Sequence, residues 1–455
     1  MEVPSQASPS HQRGPSAPRQ YPTQSHHDPV VNQIAPLTTN QNQNQIQASP
    51  GKSYESSQPV SQLPAEVLDE IFSYAEAPTL ARLALVCHMF RGVATRLLYR
   101  HIHSLSLSLT TRCLETLASS PSLAAHTRTF EIGDVGFADA NRKGLVPASF
   151  FMLLQRALHN MHRLAELTFL LNGPNSHVLL DAPFRLTKLV ASCDFDATFA
   201  SWLTEQTNLR DAIFCGNFTA GVTLPVDALP SLRRVAAAPL TLACVVPGRP
   251  IREVDLCLVH PWSLSREVLQ MAIRTIASSG GPLDSLRIIS HLSESPETVL
   301  SAFEVIPTGL NSITKLALHA VSGSITDEIL SGLPPILAQF SNLRSLTLFS
   351  KNKSDALHAA AGTRTLVAAW HAACKSLESV TLVGTTLVHN RCYGWVAQRD
   401  LAELLTAREQ SLQHRAGELC KREVVVLDEG RRGHGLSPEL GVDREGSASV
   451  VAITA

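Results

Sequence analysis

The chain has 455 residues, 44% of them hydrophobic and 17% charged, and its 38 Lys+Arg nearly balance 39 Asp+Glu for a formal net charge of −1. That length and apolar content suit a protein with a large core and more than one folded unit. The balance lacks the basic excess that nucleic acid or an anionic membrane favours, so neither is expected as the main partner.

Residues 1–61 are rich in Pro, Gln, Ser, Asn and His and include QNQNQ. Apolar residues there are sparse and without period, so the segment cannot bury enough surface to offset its chain entropy and is expected to be a disordered tail. The start MEVPSQASPS lacks a basic and then apolar stretch, and no run of 18 apolar residues occurs, so neither a secretory signal nor a membrane span is expected. The nine cysteines are scattered, mostly in apolar runs, with no CxxC pair. Buried free thiols in a reducing compartment, cytoplasmic or nuclear, are the expectation.

The composition changes at Leu63. Residues 62–105 predict three short helices. In the first, Pro64 fits the first turn, acids cluster near the positive end of the dipole, and Val67, Leu68, Ile71 and Phe72 make an apolar face. Ala77-Pro78 is expected to break it, with Thr79 capping a second helix that buries Leu80, Leu83, Ala84, Val86 and Cys87. Phe90, Val93, Ala94, Leu97, Leu98 and His101 give the third a clean helical period. About 40 residues make a marginal core alone, which motivates a partner.

Between 106 and 394 lines of the type L-x-x-L-x-L recur. Their first apolar anchors are Leu164, Leu186, Leu209, Leu232, Ile251, Leu283, Ile313, Leu343 and Leu377. Each line predicts a short strand, often followed by a helical stretch such as 266–279 or 363–376. One strand–helix unit cannot cover its own apolar face, whereas stacked units bury a continuous core. The pattern resembles a degenerate leucine-rich repeat, with parallel strands on a concave face and helices outside. An ordinary α/β domain with several parallel strands remains the alternative. Residues 395–427 contain an amphipathic run, 395–422, expected to form one capping helix, and 428–455 read as a flexible tail. The expected fold class is therefore α+β or α/β: a three-helix module, an irregular solenoid and a disordered N-terminal tail.

The ordered set LPxEVxxxIF, LxxVCxxF and LLYRHI within 62–105 resembles the F-box, in particular the F-box-like proteins common in mushroom-forming fungi. The resemblance implies docking onto the adaptor subunit of an SCF-type (cullin–RING) ubiquitin ligase, and through it onto cullin, while the following repeats bind a protein substrate. Carried over, Leu63, Pro64, Ile71, Leu83, Val86 and Cys87 would contact the adaptor, and Phe90, Val93, Leu97 and Leu98 would form the internal core. Thr79 and Phe90 depart from the acid and the Trp found in many boxes.

Motifs for catalysis are missing: there is no phosphate loop, dinucleotide fingerprint, nucleophile elbow or HExxH. His101-x-His103 and His159-x-x-His162 have no further ligands at metal spacing, and Asp194-x-Asp196 reads as a polar loop pair. No enzymatic activity, cofactor or metal is expected. Arg163, Arg210, Arg233, Arg234 and Arg344 sit in or beside repeat lines and read as solvated flanks. Two functions stand: a ligase substrate receptor, or a non-catalytic repeat scaffold whose box-like segment only caps the solenoid.

Overall fold

A computed structural model describes residues 63–133, 146–259, 262–350, 360–382, 385–390, 394–401 and 403. All belong to one unit of the chain, Leu63–Ala455. The expected tails at 1–61 and 428–455 lie outside the described residues.

Three helices open it: α1 (Ala65–Ser73), α2 (Ala77–Leu83) and α3 (His88–Arg100). Pro64 is the N-cap of α1 rather than a first-turn residue. Ala77-Pro78 begin α2 instead of breaking a helix. A proline in the first turn loses no hydrogen bond, because that N–H has no intrahelical partner anyway. Glu76 takes the N-cap position expected of Thr79, without a side-chain bond.

α3 runs straight into the first of thirteen strands that, among the described residues, form one sheet in sequence order. They are β1 (His101–Ile102), β2 (Thr129–Ile132), β3 (Glu166–Gly173), β4 (Lys188–Cys193), β5 (Asp211–Phe214), β6 (Arg234–Ala237), β7 (Glu253–Leu258), β8 (Ser285–His291), β9 (Lys315–Ser322), β10 (Ser345–Ser350), β11 (Ser379–Leu382), β12 (Thr385–Asn390) and β13 (Gly394–Ala397). β1 to β11 pair in parallel, and β12 and β13 add antiparallel. The protein is thus a mixed α/β structure with a helical N-terminal segment.

All nine anchors are buried, and each lies two residues before the first residue of its strand, from Leu164 before β3 to Leu377 before β11. The strands then alternate. In β3, Leu167, Phe169 and Leu171 are buried, and in β10, Leu346 and Leu348. These residues share one continuous core with helix residues such as Leu269, Ala272, Ile273 and Ile276 of the helix Arg266–Ala277. The intervening strand residues face the other way; most, such as Thr168, Lys188, Ile213 and Ala317, are half-buried or exposed, while Ser192, Ala236 and Asp255 are buried. Among the described residues, this leaves an open sheet face.

The expected helix over 395–422 is corrected at its start: Trp395, Val396 and Ala397 are strand, buried, and paired with β12. Pairing supplies β12 with hydrogen bonds along its outer edge, and Trp395 packs against His371 and His389 at ring distances of 5.7 and 5.3 Å. Helical residues begin at Gln398, and those beyond 403 lie outside the described residues. The expectation of buried thiols holds for Cys193 and Cys374, but Cys87 and Cys215 are exposed residues.

Candidate partner-binding surface

α1 and α2 both pack on α3 around Leu68, Phe72, Leu80, Val93 and Ala94. Phe72 meets Phe90 edge-on, with ring centroids 5.0 Å apart. Phe90, Leu97 and Leu98 line the rim of this small core, as expected, and Val93 lies in it. Arg96 pairs with Asp69 at 2.7 Å, joining α3 to α1. The Arg91 guanidinium donates to the Ala84 carbonyl at 3.2 Å, holding the α2–α3 turn. The Cys87 thiol caps α3 by accepting the Phe90 N–H.

Much apolar surface is left over. Ile71 is 52% exposed, Leu63 46% and Val86 65%. Pro64 and Cys87 are exposed as well, whereas Leu83 is half-buried against the small core. The sequence reading missed Tyr74, Leu85 and Met89, which are also exposed, and assigned Val67 to the apolar face although it is exposed too. Val67, Ile71 and Tyr74 lie at the three- and four-residue spacing of one helix face. The sequence showed Val67 and Ile71 as part of one apolar face with Leu68 and Phe72, and of the exposed three only Ile71 was assigned to a partner contact, through the resemblance. A contiguous apolar surface on so small a module marks an interaction site.

Residues 60–104 match the family model of the F-box-like domain. The segment is an F-box-like domain. Such a domain serves protein–protein interaction, which accords with its uncovered apolar residues. No curated protein matches the chain.

The F-box-like domain abuts the rest of the chain through α3, which packs on the short helix Pro121–Ala124, and Tyr99 at its end packs on the large core. On the open sheet face, Asp255 accepts from Arg234 at 3.0 Å and Arg287 at 3.4 Å, one guanidinium from each neighbouring strand. The bond to Asp255 raises the pKa of Arg234. His319, one strand beyond Arg287, is held below its ordinary pKa by burial and then by the Arg287 charge. It lies 5.5 Å from the exposed ring of Phe349. Charged, aromatic and apolar groups therefore mix across this face, as in protein-recognition surfaces.

Several other residues singled out from sequence have structural partners. Asp196 caps the helix Ala197–Thr204 through the Phe199 N–H and accepts the Ser176 hydroxyl, and Asp194 accepts from Asn217. His101 contacts Thr129, and His103 lies 3.6 Å from Glu131. Nothing in the sequence pointed to the stacked pair His371–His389, whose rings are 4.2 Å apart. Among the described residues, no group of three or more His, Cys, Asp or Glu is placed to hold a metal ion, and no helix is long and apolar enough to cross a membrane.

Proposed function

We propose that this chain is a substrate receptor of an SCF-type ubiquitin ligase. The F-box-like domain docks on the adaptor subunit and through it on cullin, using Leu63, Pro64, Ile71, Leu83, Val86 and Cys87. The sheet region is a degenerate leucine-rich-repeat solenoid whose open face selects a protein substrate. The receptor has no chemistry or cofactor of its own and works in the cytoplasm, the nucleus or both. The observation that carries this reading is the set of exposed apolar side chains on a domain of the F-box-like type, since their exposure is costly unless something covers them. For the repeat, the support is the constant two-residue offset between each buried anchor and its strand.

A pulldown of the SCF adaptor with the full chain, beside an Ile71→Asp/Leu83→Asp variant, tests the docking. Binding by the wild type and its loss in the folded variant is the expected result. A scaffold reading draws on the packing of α3 against the helix Pro121–Ala124, which lets the domain serve as an end cap. No adaptor binding by a folded wild type would favour that alternative.

A further inference from the structure

The residues just before the strands form their own ladder. Each donates its N–H to the carbonyl of its predecessor: Arg128 to Arg100, Ala165 to Arg128, Thr187 to Ala165, Arg210 to Thr187, Arg233 to Arg210 and Arg252 to Arg233, over 2.7 to 2.9 Å. This row is the N-terminal rim of the sheet. From β1 to β7 it carries five arginines and no acid, and Asp284 ends the run before β8. The arginines gather in two depressions. One, of about 230 Å³, is lined by Arg210, Arg233 and Arg252 with Pro230, Ser231 and Pro250. The other, of about 210 Å³, brings together Arg100, Arg128, Arg163 and His126, and its one acid, Asp69, is taken by Arg96.

Nearby acids are engaged elsewhere. Glu166 pairs with Lys188 at 4.0 Å, Glu253 with Arg234 at 3.9 Å and Glu205 with Arg185 at 3.3 Å. Asp211 stands one row into the open face, opposite Arg234 in the register. Burial, and then the charges of Arg96 and Arg163, lower the pKa of His126, as a positive local field should.

We propose that this rim binds an acidic, extended segment of a partner protein. The proposal rests on the receptor reading and names the chemistry of what is received. With strands about 4.8 Å apart, the five intervals from Arg128 to Arg252 span roughly 24 Å, which about seven extended residues cover at about 3.3 Å each. Carboxylates along such a segment reach both depressions, and guanidinium forks match carboxylate geometry. A single phosphate would fill one depression and leave the other uncompensated.

The test is fluorescence anisotropy on the full chain, with a labelled peptide of about nine residues rich in Asp and Glu, matched to the span above. The comparison probes are its Asn/Gln counterpart, a neutral peptide with one phosphoserine, and a short single-stranded DNA. The acidic peptide should bind at least about ten-fold tighter than its amide counterpart and weaken with salt. Arg210→Gln/Arg233→Gln/Arg252→Gln should abolish that preference, while Arg112→Gln/Arg274→Gln, on the helices, should leave it intact. Equal loss in both variants, no binding, or tighter binding of the phosphopeptide or the DNA would overturn the proposal. An adaptor pulldown with the same triple variant separates the two claims: retained adaptor binding with no acidic-peptide binding sinks the rim alone, and acidic-peptide binding without adaptor binding sinks the ligase reading alone.

Discussion

Ile71 and Phe72 are neighbours with opposite duties, and their substitution separates folding from docking. Phe72 is 5% exposed and stacks edge-on with Phe90. Phe72→Ala should cost about 3–5 kcal/mol, the usual range for emptying a buried phenylalanine site. The small core rests on five buried residues, so this loss should melt α1–α3 locally. Ile71 is 52% exposed. Full burial of an isoleucine side chain contributes about 1.5–3 kcal/mol, so Ile71→Ala should cost the free protein about 1 kcal/mol. Docking would bury the exposed half, so the same change should weaken adaptor binding by about 1 kcal/mol, or roughly five- to ten-fold. Ile71→Asp adds the cost of a desolvated carboxylate and should abolish binding while α1–α3 stay folded. Hydrogen exchange of the α1–α3 amides reports the folding, and titration with the adaptor reports the docking. The reasoning is refuted if Ile71→Ala opens these amides as far as Phe72→Ala, or if Ile71→Asp binds the adaptor like the wild type.

Three further outcomes follow from the sheet region. Arg249 is 2% exposed and its guanidinium donates to the carbonyls of Pro225, Ala228, Cys244, Val245 and Pro247. Arg249→Met should cost about 3–5 kcal/mol in denaturant unfolding, with Lys rescuing little because an ammonium cannot reach five acceptors at once. Gly323 has φ +81°, and a Cβ there would overlap the Leu292 carbonyl, so Gly323→Ala should lower stability by about 2–4 kcal/mol on a thermal melt. Burial raises the thiols of Cys113 to about 11 and of Cys193 and Cys257 to about 12. Unfolded thiols titrate at about 8.5, so the unfolded chain releases these protons first, and the thiols' contribution to stability should be constant below about pH 8 and fall as pH rises toward about 11–12. A denaturant midpoint that holds steady or climbs between neutral and alkaline pH would contradict that sign.

Strand placement was legible for β3 to β11, where an aliphatic anchor precedes each strand by two residues. β2 escaped because Thr127 occupies the anchor position, fully buried and with no hydrogen-bond partner for its hydroxyl. β1 escaped because Tyr99 stands there. β13 escaped because Trp395 and Val396 fit a helical period as well as a strand, and only the pairing with β12 decides between them. The F-box-like domain was legible as an ordered motif. Its uncovered face was legible only in part: the resemblance pointed to Leu63, Pro64, Ile71, Val86 and Cys87, but Val67, Tyr74, Leu85 and Met89 were missed, since an apolar residue counts the same whether it points inward or outward. The arginines were visible singly but not as a set. Arg233 and Arg234 are adjacent in sequence, yet one joins the rim and the other turns to Asp255 on the open face. Arg344 lies farther along the same rim beside Glu378 at 3.6 Å, and Arg163 joins the second depression.

No spacer separates α3 from β1: Arg100 ends the helix and His101 begins the strand. The azimuth of the N-terminal domain about the α3 axis is therefore set by residue count. An α-helix advances about 100° and 1.5 Å per residue. One residue inserted before Arg100 would swing α1 and the α2–α3 turn through more than a quarter turn relative to the open sheet face. Four inserted residues would restore nearly the original phase about 6 Å farther out. Whatever the two surfaces hold, the length of this helix fixes the heading at which they face each other.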